Sequence, residues 1–151
     1  MNLNETKYLY IGETQNNLKL DKDYEIEFYQ DYKFLRVIFD TSGTDDKEIR
    51  SRVIQARKCI ACLNRILWSK DIRKKRKLNI YNALIKSNLL YGSEIWRLTE
   101  NNKRRVEAIE IEALRKSSRI SRKDRIRNVT IKRHIGLEET TIKEIEQNQL
   151  T

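Results

Sequence analysis

DDKEIRSRVIQARKCIACLNRILW, residues 45–68, is the stretch whose reading decides the fold. Ile49, Val53, Ala56, Ile60, Leu63 and Leu67 recur in it at alternating intervals of four and three. That spacing sets side chains on one stripe of an α-helix. Asp45 stands where an N-cap belongs, and Glu48 three residues on completes a box-like signature. The stripe runs for just over three heptads, so it reads as one helix lying on a core, with a coiled-coil seam as the competing reading.

Upstream of this helix the period is different. Lys7-Tyr8-Leu9-Tyr10-Ile11-Gly12 and Phe34-Leu35-Arg36-Val37-Ile38-Phe39 are rich in aromatic and β-branched residues, which favour strands. Between them Tyr24, Ile26 and Phe28 alternate with Glu25, Glu27 and Tyr29, the period of a half-buried strand. Downstream, a second helix is expected from Asp71 or Ile72 to Tyr91, with Leu78, Tyr81, Leu84, Ile85 and Leu89 inward and Gly92 ending it. A third starts at Thr99 as N-cap and runs to about Arg119, burying Val106, Ile109, Ala113 and Leu114, and short helices follow around Thr130–Ile135 and Thr140–Gln149. The chain has no proline and only four glycines, so long helices are permitted. The expected class is α+β, with a short N-terminal antiparallel β-meander in residues 1–44 and a mostly helical bundle in residues 45–151. The chain stops at Leu150-Thr151 without a capping signal, which leads us to expect that the natural sequence continues.

At 151 residues, one core or one core plus an appended hairpin is expected. Charged residues make up 36% of the chain against about 25% in a typical domain, so that core must be thin. The charge is segregated: residues 1–46 hold 5 basic and 10 acidic side chains, residues 47–134 hold 26 and 8 (net +18), and residues 135–151 hold 1 and 4. A field of that sign attracts polyanions, because each Lys or Arg that neutralises a phosphate releases a condensed counterion. Nucleic acid is the expected partner. An anionic membrane surface fits less well, because no helix sets the basic residues opposite a broad Trp/Phe/Leu face.

Other chemistries find little to build on. No stretch approaches the roughly 18 consecutive apolar residues of a spanning helix, and MNLNETKYLY lacks a signal peptide's basic start and apolar run. We therefore expect an intracellular protein, nuclear or cytoplasmic. Cys59 and Cys62 have no second pair, and His134 is the sole histidine, so the cysteines read as a helical i, i+3 pair of buried thiols rather than a zinc site. His134 has no carboxylate orienter nearby in sequence, and the chain holds no glycine-rich phosphate loop. Asp40, Asp45 and Asp46 are the best acidic cluster for a magnesium ion, but Asp45 and Asp46 lie at a helix start, where the helix dipole explains them.

The candidate nucleic-acid-binding residues are Lys33 and Arg36 in the β region, Lys58 and Arg65 around the first helix, the run Arg73-Lys74-Lys75-Arg76-Lys77, and Lys103, Arg104, Arg105, Arg115 and Lys116 on the third helix. Phosphate contact is favoured over a merely solvated face because net +18 exceeds what solubility requires.

The order of these pieces carries a resemblance. Thr6-Lys7-Tyr8-Leu9-Tyr10-Ile11-Gly12 nearly matches KTxYLxIG; YKFLRVIFDTSGT follows at residues 32–44, then the basic helix, then LNIYNALIKSNLLYGSEIWRLTE at residues 78–100. Over nearly its whole length the chain resembles non-LTR retrotransposon reverse transcriptases, RNA-directed DNA polymerases of the kind carrying an endonuclease. The resemblance implies that residues 1–44 are the end of the palm, with a hairpin near Tyr32–Asp40 matching the family's primer-gripping element. It also implies that residues 45–151 are the thumb and its connection, which hold the template–primer duplex. The family usually has YLGV in the hairpin, and here Arg36 stands where that glycine is expected. A backbone needing positive φ there would be strained by an arginine.

The full-length family uses Mg2+. Its Tyr-x-Asp-Asp motif and other metal-binding aspartate lie upstream, and no Tyr-x-Asp-Asp occurs in this sequence. The expectation is a truncated transposable-element remnant that has no cofactor and no polymerase activity in isolation, since the two-metal mechanism needs those carboxylates. It would bind an RNA–DNA hybrid or other duplex without sequence preference, as a monomer lacking the parent polymerase's upstream palm. A stand-alone helical module reading DNA sequence through the helix from Thr99, and a protein–protein adaptor using the Ile49–Leu67 stripe, are the alternatives.

Overall fold

A computed structural model describes residues 6–12, 17–21, 24–137 and 139–150. The fold is α+β, two strand pairs followed by helices, and it divides into two compact units, residues 1–49 and 50–151.

In the first unit β1 (Leu18–Asp21) pairs antiparallel with β2 (Tyr24–Ile26), and β3 (Asp31–Phe34) with β4 (Val37–Asp40), as two separate two-stranded sheets. The expected three-strand meander is thus replaced by two hairpins. Lys7–Gly12 contributes only an isolated parallel bridge, Tyr8 to Phe28, with the two rings edge to face at 6.2 Å. Phe34–Phe39, expected as one strand, turns back on itself at Leu35-Arg36. Both turn residues have positive φ, 46° and 67°, the pattern that matches a two-residue loop to the right-handed twist of its strands. Arg36 thus occupies a backbone state that glycine would adopt without strain.

Register sets Asp31 directly opposite Asp40, a like-charge pair that is unfavourable by itself. Lys47 answers it by an ion pair with Asp31. That hydrogen bond holds the lysine above its ordinary pKa, with the charge of Asp40 adding to the effect. Glu48 reaches back along the same unit, its Oε2 accepting from the Ile38 N–H at 2.8 Å. Among the described residues of this unit Ile26, Glu48 and Ile49 are buried, while Phe34 and Leu35 are 54% and 70% exposed at the hairpin tip.

The stripe from Ile49 forms α1 (Asp46–Cys62), and a turn at Leu63 separates it from α2 (Asn64–Trp68). One long helix to Trp68 was expected, but Leu63 has φ −83° and ψ 1°, outside the helical well. Val53, Ala56, Ile60 and Leu67 are buried within the chain. Cys59 is partly covered and Cys62 exposed, so the expected pair of buried thiols is not formed.

The next helical run consists of α3 (Lys74–Ile80), a π turn (Tyr81–Lys86) and α4 (Ser87–Leu90). Lys77, Tyr81, Ile85 and Leu89 are buried at successive intervals of four. In an α-helix such a row drifts by about 40° per step, and the wider π turn takes up that drift. The consequence corrects two expectations: Lys77 turns inward, and Leu84, expected inward, is 49% exposed.

Thr99 caps α5 (Glu100–Ser118), its side chain accepting from the Asn102 N–H, and Val106, Ile109, Ala113 and Leu114 are all fully buried, as expected. The helices α6 (Asn128–Ile135) and α7 (Thr141–Asn148, capped by Thr140) follow. α2, α3, α6 and α7 all pack on α5, making it the central helix of the second unit.

Candidate nucleic-acid interface

The basic residues singled out from the sequence separate into four groups once their surroundings are seen. Arg73, Lys75 and Arg76 at the start of α3, Lys58 on α1, Arg65 on α2 and Arg104 on α5 are exposed, and none makes an ion pair or hydrogen bond through its side chain among the described residues. Arg73 sits at the N-cap of α3 with extended backbone (φ −62°, ψ 146°), and the helix projects the rest of the run from its first turn. Arg73, Lys75 and Arg76, without ion-pair partners among the described residues, concentrate positive potential at one helix end.

A second group is occupied. Lys103 pairs with Glu146 at 2.8 Å and Glu100 at 3.7 Å, and the Glu146 contact holds its pKa up. Lys116 pairs with Glu112 at 3.8 Å, and Arg105 donates to Asn102 Oδ1 at 3.3 Å. Arg115 donates to Ser121 O (3.3 Å), Ile126 O (2.6 Å) and Asn128 Oδ1 (3.3 Å). Lys74 places its Nζ 2.6 Å from His134 Nε2.

Lys77 leaves the candidate site altogether. It is 2% exposed, and its Nζ donates to Ser69 O at 2.6 Å and Ser117 O at 3.3 Å, tying the segment before α3 to the end of α5. Burial lowers its pKa, and the positive charge of Arg119 lowers it further. The run of five expected phosphate contacts therefore loses one member, because a buried ammonium that already serves two carbonyls has nothing to offer a ligand.

Lys33 on β3 and Arg36 at the hairpin tip are exposed residues of the first unit. Within the second unit, Arg104, Arg115 and Arg122 line one cleft of about 360 Å3 floored by Ala108 and Ile111. Its carboxylates have partners: Glu107 accepts from Lys132 at 3.0 Å, and Glu112 faces Arg57 at 3.7 Å.

Two features were not read from the sequence. One is the set of exposed cations Arg122, Lys123, Arg125 and Arg127, which follows α5; its signal, four basic residues within six positions, was available. The other is a buried polar cluster at the centre of the bundle. Glu110, 1% exposed, accepts through Oε1 from the Thr141 N–H (2.8 Å), Thr141 Oγ1 (2.8 Å) and Tyr81 OH (3.2 Å), and through Oε2 from Lys132 (3.2 Å). This cluster ties the π turn, α5, α6 and α7 together, and no periodicity announces it.

Among the described residues no group of three His, Cys, Asp or Glu side chains is arranged to hold a metal ion. Asp40 closes its own turn, with Oδ1 accepting from the Ser42 N–H (3.3 Å) and Thr41 Oγ1 (3.2 Å). Among the described residues no helix is long and apolar enough to cross a membrane.

No protein-family model matches the sequence, and no similar curated protein or solved structure was found.

Proposed function

We propose that the chain corresponds to the palm end and thumb of a non-LTR retrotransposon reverse transcriptase, and that it holds a template–primer duplex by its sugar–phosphate backbone without polymerising. The observation that carries this reading is the start of α3, where Arg73, Lys75 and Arg76 are exposed and unengaged by carboxylates within a segment of net +18. The hairpin of β3 and β4 at the position the resemblance implies adds support.

Backbone contact is favoured over sequence readout because α5, the helix that the alternative would send into a major groove, packs against α2, α3, α6 and α7. Four of its five candidate cations already have protein partners. Contacts to phosphates position a protein on a duplex but carry no sequence information.

Fluorescence anisotropy with an RNA–DNA hybrid and with unrelated duplexes, repeated over a range of salt, tests the reading. Similar affinity for all of them, falling with salt by a log–log slope of about −0.9 per phosphate contact, is the expected result. A preference of about a thousandfold for one duplex sequence would instead favour the sequence-reading module. No binding at low salt would remove the function.

A further inference from the structure

Beyond α5 the chain runs through Arg119-Ile120-Ser121-Arg122-Lys123-Asp124-Arg125-Ile126-Arg127 with one carboxylate among five cations. That carboxylate is turned onto its own backbone. Asp124 Oδ2 accepts from the Ser121 N–H at 2.6 Å while Ser121 Oγ accepts from the Lys123 N–H at 3.2 Å, a capping box around the short 3-10 turn Arg122–Asp124. The chain reverses through two left-handed residues, Arg119 (φ 59°, ψ 36°) and Arg125 (φ 51°, ψ 25°). Arg115 then closes the loop from the side of α5, one guanidinium reaching Ser121 O at one end and Ile126 O and Asn128 Oδ1 at the other. The result is a loop with fixed backbone whose Arg122, Lys123, Arg125 and Arg127 side chains are exposed without ion-pair partners among the described residues.

We propose that Ser121–Arg127 is a second phosphate-gripping element, preformed to set four cations against the backbone of the same duplex that the start of α3 contacts. Arg115 is its positioning residue and touches no phosphate itself. This rests on the nucleic-acid reading above. The two elements share one end of α5: Lys77 of α3 bonds Ser117 O, and its ammonium feels the charge of Arg119, the first residue of the loop segment. A loop already ordered loses little conformational freedom when it binds, so its cations contribute more than the same charges on mobile side-chain arms elsewhere.

The test uses the whole chain and a 20-base-pair RNA–DNA hybrid, with circular dichroism confirming that each variant is folded. Arg122→Gln/Arg125→Gln is compared with Arg50→Gln/Lys143→Gln, which removes equal charge from exposed positions outside the loop. The loop pair flattens the salt slope by about 0.9 for each phosphate that is no longer neutralised, and the control pair does so to a clearly smaller extent. Arg115→Lys keeps every loop cation but cannot span both ends of the loop, and in the folded protein it also flattens the slope. If the unaltered chain does not bind the hybrid, both this inference and the function above fail. If it binds and the loop pair keeps the native slope, or both pairs flatten it equally, only the loop's role is overturned. Loss of binding to phosphatidylserine vesicles with unchanged hybrid binding would reassign the loop to a membrane and overturn the inference likewise.

Discussion

The hydroxyl of Tyr81, inside the π turn, donates to Glu110 Oε1 of α5 at 3.2 Å, and both side chains are removed from water. Thr141 donates to the same oxygen through its N–H and its hydroxyl, and Lys132 faces the other. A buried carboxylate of this kind is tolerable only because each of its oxygens has a donor. Glu110→Ala strands the Thr141 N–H, leaves the Tyr81 and Thr141 hydroxyls with each other alone, and leaves Lys132 with Glu107. A buried donor left unsatisfied costs about 1–3 kcal/mol. Urea unfolding of the variant shows a lower midpoint with little change in slope; an unchanged midpoint would mean that the cluster does not hold the helices together.

Alkaline pH acts on the same cluster. Burial pushes the Tyr81 phenol well above its ordinary value, and the charge of Glu110 pushes it further. Above the unfolded value of about 10, the unfolded chain releases this proton while the folded chain keeps it. The stability contributed is therefore complete below that pH and is lost as the pH rises toward the folded value. Urea midpoints measured between about pH 9 and 12 fall more steeply for the native chain than for Tyr81→Phe. Parallel decline in both would assign the alkaline loss to other groups.

Lys75 and Lys77 lie two residues apart, the first exposed and the second buried. Lys75→Gln leaves thermal unfolding unchanged and makes the salt slope for duplex binding shallower by about 0.9. Lys77→Gln lowers the unfolding temperature, because Ser69 O and Ser117 O lose their donor, and leaves the slope of the folded protein as it was. Reversal of the two phenotypes in paired melting and anisotropy measurements would contradict the placement of Lys77.

The β3–β4 turn holds Leu35 and Arg36 at positive φ, where side chains other than glycine and asparagine crowd the backbone at about 1–2 kcal/mol per residue. Leu35→Asn combined with Arg36→Gly supplies the residue pair that such a turn favours. Amide exchange at Phe34 and Val37 slows by about tenfold, which corresponds to roughly 1.4 kcal/mol. Unchanged or faster exchange would show that the strain is absent.

How much of this was legible beforehand follows from the range of each interaction. The α5 helix could be placed from its letters because its determinants are local: Thr99 caps it, and Val106, Ile109, Ala113 and Leu114 repeat at helical spacing. The two short C-terminal helices were legible for the same reason. The β region was misread as a three-strand meander because aromatic and β-branched letters report strand preference but not where a strand turns back. Of the candidate cations, Arg73, Lys75 and Arg76 stand exposed as expected, whereas Lys77, Lys103 and Arg115 were indistinguishable from them by residue type.

Charge segregation, the α+β class and the helical periodicities were determined by the sequence alone, since each depends on residues within a few positions of one another. Which cations face water was decided only by the tertiary structure. Lys77 turns inward toward a carbonyl forty residues away, and Arg115 faces a loop that returns to it. The same holds for the Tyr81–Glu110–Thr141 cluster, whose members are separated by 29 to 60 residues. A hydrogen bond depends on where two atoms end in space, and no local pattern encodes a meeting between residues so far apart in the chain.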